Sequence, residues 1–120
     1  MEFDKNKPIY IQIIDFLKFK IASGELKPGE KLNSVRDMAD DVDVNPNTMQ
    51  RALAELEREG ILYTQRTSGR FVCDDGEKIQ KMRDELASRE IGYLREILIK
   101  LGYTKEDILK VIEKNIKELR

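Results

Sequence analysis

The sequence predicts a mainly α-helical protein with one small β-hairpin. Apolar residues recur at helical spacing through most of the 120 residues, and the spacing changes to that of two short strands between residues 61 and 73. Apolar residues make up 40% of the chain and charged residues 38%, proportions typical of a soluble globular protein rather than a disordered one. A chain of this length forms one domain, or a small domain with an appendage.

The first predicted helix covers residues 8–23, because Pro8 suits the first helical turn and Gly24 ends the apolar pattern. One stripe along this helix faces the core and comprises Tyr10, Ile13, Ile14, Leu17 and Ile21. A second stripe on another side comprises Ile9, Phe16 and Phe19, so we expect the helix to contact a second element or subunit as well. Residues 24–33 then form a loop around the turn signal Pro28-Gly29.

Two short helices joined by a tight turn follow the loop. Ser34 caps the first of them, with Asp37 three residues later as in a capping box, and this helix ends near residue 42. The second helix, within residues 45–60, has Asn45 as its cap and Pro46 at the first helical position, and it stops at Gly60. This order of elements is typical of a helix-turn-helix.

The second helix of this pair has one apolar and one polar face. The apolar face follows helical spacing and comprises Met49, Ala52, Leu53 and Leu56. The opposite face comprises Asn47, Arg51, Ala54 and Arg58, with Gln50 and Glu55 beside them. Amides and an arginine near the front of a helix can bond base edges in the major groove of DNA. The alternative is an ordinary surface helix whose polar face is only solvated.

The two β-prone runs, residues 61–66 and 70–73, are joined by Thr67, Ser68 and Gly69, which predicts a hairpin with Gly69 at a positive φ. Arg66 and Arg70 flank its tip. Beside a helix-turn-helix such a hairpin, called a wing, can lay arginines on phosphates or in the minor groove. In the alternative interpretation the two arginines only keep a strand edge soluble. The order of the elements favours contact with DNA.

Helical spacing returns after the wing. A long helix is predicted over residues 77–101 and, after Gly102, a last helix capped by Thr104 with Asp107 at the capping-box position. Such a pair forms an antiparallel hairpin, which buries too little apolar surface to be stable alone. We therefore predict a DNA-binding domain over residues 1–75 and a dimerisation tail over residues 76–120, with a second copy of the chain as its partner.

Composition excludes several classes of function. The chain has no histidine and one cysteine, Cys73, which removes disulfides within the chain, zinc sites of the Cys/His type and histidine acid–base chemistry. Cys73 ends an apolar run and is interpreted as a core residue, with a redox role as the alternative. We expect no catalytic site, no metal and no cofactor. Since no apolar run approaches the ~18 residues of a membrane helix and no signal segment opens the chain, the expected location is cytoplasmic.

The ordered segments LKPGEKLNSVRDMA, NTMQRALAELEREGIL and GRFV resemble the winged-helix domain of the GntR family of bacterial transcription regulators. The resemblance covers residues 8–73. The opening KPIYIQI and the short helical tail are similar to the YtrA-type branch, in which a small helical dimerisation region replaces a large ligand-binding domain. Two departures are Asn33, where the family usually has proline, and a wing in which Gly69 stands without the usual glycine-rich run.

The resemblance also implies which residues contact DNA. It places Arg36 on the DNA backbone or a base and the wing tip, Thr67, Ser68 and Gly69, in the minor groove. The residues that open the recognition helix would read the operator, and these are Asn45, Pro46, Asn47, Thr48, Gln50 and Arg51. Arg66 and Arg70 complete the predicted interface as backbone contacts.

We expect a homodimeric, sequence-specific DNA-binding regulator, most simply a repressor, that binds a near-palindromic operator in double-stranded DNA. The alternative is a winged-helix module for protein–protein contact, which the net charge of −1 favours because DNA-binding domains are usually basic. The sequence does not identify a small-molecule effector. Tyr93 and Tyr103 would line such a site between the tail and the winged domain, or serve only as packing residues.

Overall fold

The computed structural model describes residues 1–119, and its helices and strands confirm the mainly α-helical fold with a small β-hairpin. The elements in chain order are α1 (Ile9–Ala22), α2 (Val35–Asp41), α3 (Pro46–Arg58), β1 (Leu62–Gln65), β2 (Gly69–Val72), α4 (Gly76–Lys100) and α5 (Lys105–Lys117). The last residue of the predicted tail, Arg120, lies outside the described residues. No helix in residues 1–119 combines the length and apolar content needed to cross a membrane.

The chain divides into two compact units, Met1–Arg83 and the part that begins at Asp84. The division falls inside α4, so the first two turns of α4 belong to the first unit. There Ile79 and Met82 are buried, and the Arg83 side chain donates a hydrogen bond to the carbonyl of Ala22 at the end of α1, at 2.9 Å. The predicted domain boundary at residues 75–76 remains a prediction.

The first unit is organised around α3, which packs against α1, α2 and β1. The four residues of its predicted apolar face, Met49, Ala52, Leu53 and Leu56, are at most 2% exposed. From α1 the buried residues are Ile13, Ile14, Leu17 and Ile21, whereas Tyr10 is only half-buried. Cys73 is buried as well, in agreement with the core interpretation of this residue.

The predicted helix caps are present. The Ser34 hydroxyl accepts the Asp37 N–H at 3.1 Å, and the Asn45 side-chain oxygen accepts the Asn47 N–H at 2.7 Å. Thr104 forms a full capping box with Asp107 at the start of α5. Each cap satisfies a backbone donor that the first turn of a helix otherwise leaves unpaired, which fixes the residue at which the helix begins.

The loop before α2 is more ordered than the sequence predicts, because it pairs with β2. Val72 donates its N–H to the carbonyl of Glu30 at 2.9 Å, and Gly29 donates to the carbonyl of Val72 at 3.0 Å. Leu32 donates to the carbonyl of Arg70 at 2.9 Å. β2 therefore has hydrogen-bonded neighbours on both sides, β1 and residues 29–32. Four residues around a Pro-Gly turn signal are too few to give a period-2 pattern, so the sequence indicated only a loop.

In the second unit the apolar side chains of the helices are largely uncovered. Ile91, Leu94 and Ile97 on α4 are 58%, 43% and 56% exposed. On α5, Leu109 and Ile116 are 67% and 59% exposed, and α5 has no buried residue. An exposed apolar face on an amphipathic helix is typical of a surface that another element or chain covers.

The turn between α2 and α3 places a non-glycine residue in the left-handed region, since Asp43 has φ = +56°. The turn is closed by hydrogen bonds from Val44 N–H to the carbonyl of Ala39 at 2.9 Å and from Asp43 N–H to the carbonyl of Asp40 at 3.2 Å. Aspartate tolerates this conformation better than most residues, whereas a β-branched side chain does not.

We expect Asp43→Val to destabilise the protein by ~1–2 kcal/mol relative to Asp43→Gly, because valine is strained at this φ and glycine is not. The measurement is chemical denaturation of the full chain at a fixed protein concentration. Asp40→Val, in the body of α2, is the matched control because it makes the same change at an ordinary helical φ. Equal losses of stability for Asp43→Val and Asp40→Val, each relative to the wild type, would show that the turn imposes no strain.

Candidate DNA-binding surface

The front of α3 presents polar side chains to solvent. Asn47, Gln50 and Arg51 are exposed, and Ala54 beside them is exposed and small. Asn45 and Pro46 are exposed too, although the Asn45 oxygen is occupied by its cap, and Thr48 is half-buried. We call Asn47, Gln50, Arg51 and Ala54 the reading face of α3. The helical period predicted the exposure of these residues correctly, because burial of the opposite face fixes the rotation of α3.

Gln50 lies in a cleft between α3, the start of α2 and the wing, β1–β2. The cleft has a volume of about 440 Å³, and its walls include Asn33 and Ser34 on one side and Ser68 and Gly69 of the wing tip on the other. The structure thus brings the predicted reader Gln50 together with three predicted residues of the wing, Ser68, Gly69 and Arg70. An amide in such a cleft can donate and accept a hydrogen bond at the same time.

Arg51 lies on the other side of the reading face, against α1. Its guanidinium carbon is 3.7 Å from the centroid of the Tyr10 ring, a cation–π contact. Arg51 also lines a shallow depression with Glu55 and Arg58, away from the cleft that holds Gln50. The sequence did not indicate the contact with Tyr10, because the two residues are 41 positions apart and belong to different helices.

The rear of α3 carries three glutamates, and each is paired with a cation. Arg58 binds Glu55 through a salt bridge, which raises the pKa of Arg58 and lowers that of Glu55. Lys18 of α1 is 3.0 Å from Glu59. The third, Glu57, binds Arg70 of β2, with 2.6 Å between Glu57 Oε1 and Arg70 Nε. The negative charge behind the reading face is therefore largely compensated within the protein.

The two predicted wing arginines have different surroundings. The Arg70 side chain is only 17% exposed and is held by Glu57, and Arg70 lies in the ladder opposite Thr64 rather than in the exposed turn. Arg66 is exposed at the tip beside Thr67 and Ser68. Arg36, on the first turn of α2, is also exposed, and no side chain in residues 1–119 pairs with it.

Lys31 is a cation at this surface that the sequence did not single out. It forms a β-bridge with Phe71, and its side chain lies over Gly69, where an added Cβ would be 3.1 Å from Lys31 Cε. It also lines the cleft that holds Gln50. Its position three residues before Ser34, the cap of α2, was the available signal in the sequence.

Known proteins resemble this chain over most of its length. Residues 9–72 match the family described as bacterial regulatory proteins, gntR family. The uncharacterized HTH-type transcriptional regulator YhcF of Bacillus subtilis (strain 168) is 42% identical over 93% of this chain and 93% of its own length. The HTH-type transcriptional repressor YtrA of the same organism is 47% identical over 57% of this chain and 52% of its own length.

Two solved structures are also similar. A GntR family transcriptional regulator from Listeria monocytogenes superimposes with a TM-score of 0.84 at 38% identity, covering 93% of this chain and 98% of that one. The DNA-binding domain of AraR, solved in complex with operator ORR3, has a TM-score of 0.54 at 26% identity and covers 61% of this chain and 86% of its own. The winged-helix fold is common to these structures and to the chain described here.

The contacts of the Glu57 carboxylate with the wing should make the stability of the protein depend on pH in the acid range. Burial raises its pKa, but the hydrogen bonds from Thr64 and Arg70 outweigh burial and leave the pKa lowered. A carboxylate with a lowered pKa in the folded state stabilises the protein above its unfolded pKa of about 4.3, and this contribution is lost as the pH falls through the folded value.

We therefore expect Glu57→Gln to lower the free energy of unfolding at pH 7, and the difference from the wild type to shrink as the pH falls below about 4. Urea denaturation at a series of pH values measures both effects. Glu25→Gln is the control, since Glu25 is an exposed glutamate in the loop after α1. A difference that stays constant with pH would contradict a role for the charge of Glu57.

Proposed function

The chain belongs to the GntR family of bacterial regulatory proteins and is a transcriptional regulator, not an enzyme, and we propose that it is a repressor that binds a near-palindromic operator as a homodimer. The observation that carries the proposal is the reading face of α3, on which Asn47 and Gln50 are exposed and Gln50 lines the cleft formed with the wing. The operator complex of the AraR DNA-binding domain supports DNA as the ligand of such a surface.

In the proposed complex α3 enters the major groove. Its 13 residues give a length of roughly 20 Å, and the groove is about 12 Å wide, so the front turns of the helix lie among the bases and the rear turns lie outside. Gln50 has the donor and acceptor that match the N6 and N7 atoms of adenine, and Arg51 has the paired donors that match O6 and N7 of guanine. The acids at the rear of α3 then lie where the helix leaves the duplex.

The phosphate contacts come from cations around the reading face. Arg36 on α2, Lys31 before it and Arg66 at the wing tip are all exposed, and Lys31 lines the cleft itself. Such contacts position a protein on the duplex without reading its sequence. With a net charge of −1 the whole molecule supplies no general attraction to DNA, so affinity depends on these few local cations.

A homodimer is supported by the exposed apolar face of the second unit. Ile91, Leu94 and Ile97 of α4 and the apolar side chains of α5 lie at the surface, and a second copy of the chain is the simplest partner that covers the same face on both molecules. In a symmetric dimer two copies of α3 would enter successive major grooves about one helical turn, or ~34 Å, apart. That spacing requires an operator with two inverted half-sites.

Repression is supported by the repressor YtrA, which is 47% identical to this chain over the region that both share. This chain matches about half the length of that protein, so the proposal of repression rests on the DNA-binding part. A dimer bound at a promoter would exclude RNA polymerase from the same DNA.

Selection of bound sequences from a pool of random duplexes tests the proposal directly. We expect the purified full chain to enrich an inverted repeat whose half-sites are about one helical turn apart. If no sequence is enriched at low salt, DNA binding is ruled out and the protein–protein alternative is favoured.

Arginine substitutions should separate sequence reading from phosphate contact. We expect Arg51→Ala to lose ~1–3 kcal/mol of discrimination between operator and random duplex, roughly 5- to 150-fold in the ratio of Kd values. Arg66→Ala should weaken both complexes alike and reduce the slope of log K against log salt by about 0.9. Arg58→Ala is the control on the same helix, since Arg58 is paired with Glu55. An unchanged ratio in Arg51→Ala would remove Arg51 from the readers.

The second unit should control assembly. We expect Ile97→Glu to convert the dimer into a monomer and to weaken operator binding at least tenfold, because a charge on the apolar face cannot be buried without a partner. Sedimentation and gel-shift titration measure the two effects. Lys100→Glu, at an exposed position in the last turn of α4, is the control and should leave the mass unchanged. A wild-type chain that is monomeric at micromolar concentration would overturn the homodimer.

A further inference from the structure

Glu57 on α3 holds both strands of the wing. Its Oε1 atom accepts a hydrogen bond from Arg70 Nε at 2.6 Å and another from the Thr64 hydroxyl. Thr64 and Arg70 are directly opposite each other in the antiparallel ladder, so one carboxylate oxygen is shared by a residue of β1 and a residue of β2. The contact therefore joins the recognition helix to both strands of the wing through one carboxylate oxygen.

This contact is partly shielded from solvent. The side chains of Arg70 and Glu57 are 17% and 29% exposed. Hydrogen bonds in which both groups are charged are shorter and stronger than neutral ones, and salt screens a partly buried pair less than an exposed one. The pair therefore differs from the exposed pair of Arg58 and Glu55 on the same helix, where the arginine side chain is 71% exposed.

The tip of the wing has little else to hold it. Residues 66–68 are exposed, and the turn is closed by a hydrogen bond from Ser68 N–H to the carbonyl of Gln65 at 3.1 Å. From Arg70 to Val72, β2 is fixed to residues 29–32 through its backbone, but those bonds do not involve α3. Among the polar contacts described for the wing, the bonds to Glu57 are the ones that tie its direction to α3.

We propose that Glu57, through Thr64 and Arg70, is a positioning residue that sets the direction of the wing relative to α3, so that Arg66 and Gln50 reach one operator half-site at the same time. The proposal rests on the DNA-binding function proposed above. Glu57 contacts no DNA in this arrangement and acts through the position of Arg66. Arg70 is then a structural partner of Glu57 and not itself a phosphate contact.

A double-mutant cycle tests the coupling between Glu57 and Arg66. Operator affinity is measured by fluorescence anisotropy for the wild-type chain, Arg66→Ala, Glu57→Ala and the double variant. We expect Arg66→Ala to weaken binding several-fold in the wild-type background and less than twofold in the Glu57→Ala background, because the tip is then no longer held on the DNA. If Arg66→Ala lowers operator affinity by the same factor in both backgrounds, or does not lower it in the wild-type background, the proposal is wrong.

Two controls separate positioning from a general loss of structure. Glu55→Ala changes the neighbouring glutamate whose partner is Arg58, and it should leave the Arg66 effect at its full size. Gln50→Ala should weaken operator binding by the same factor with and without Glu57, because the buried apolar face that holds α3 does not include the Glu57 side chain. A loss of the Gln50 effect as well would show that Glu57→Ala disturbs the whole domain and would count against the proposal.

Arg70→Thr removes the same ion pair from the wing side and replaces Glu57→Ala if that variant does not fold. It should reduce the Arg66 effect to the same extent, and a full-sized Arg66 effect in this variant would overturn the proposal. If the wild-type chain binds no DNA in any of these experiments, the proposed function itself fails. If the wild-type chain binds the operator but Glu57→Ala and Arg66→Ala change its affinity independently, only the positioning role of Glu57 is overturned.

Discussion

The structure depends on the burial of one face of α3. Met49, Ala52, Leu53 and Leu56 lie between α1, α2 and β1 and have almost no contact with solvent. Each large side chain buried in this way contributes roughly 1.5–3 kcal/mol, so rotating the helix by even one residue would be costly. Because this rotation is fixed, the residues on the other side of the helix are fixed as well. The same buried contacts therefore determine both the stability of the core and the orientation of the reading face.

Local features of the fold could be predicted from the sequence, whereas contacts between distant residues could not. The caps at Asn45 and Thr104 and the positive φ of Gly69 follow from residue types within a few positions of each other. The stacking of Arg51 on Tyr10 and the pairing of Glu57 with Arg70 depend on how separate elements pack. As a result, the sequence could place Gln50 and Arg51 on the exposed face of α3, but the division between Gln50 in the cleft and Arg51 against α1 became visible only in three dimensions.

The acidic composition is compatible with a DNA-binding surface because of where the charges lie. The three glutamates of α3 are compensated by Arg58, Arg70 and Lys18, each in a salt bridge within the first unit. Among the cations that remain exposed, Lys31 lines the cleft that holds Gln50, Arg36 lies on α2 and Arg66 lies at the wing tip. At physiological ionic strength a charge is felt over about 8 Å, so a duplex docked on α3 would experience these neighbours more than the average charge of the molecule.

The pairing of residues 29–32 with β2 has a consequence for how the protein behaves at high concentration. A two-stranded ribbon normally has two open edges, and each is a template on which another molecule can add a strand and begin an amyloid-like assembly. Here the outer side of β2 is already occupied by the chain itself, through the bonds that Glu30 and Leu32 make with it. The edge that remains is β1, which is four residues long and exposed from Tyr63 to Gln65. The segment that orders the wing thus also leaves the ribbon with one short site for misassembly.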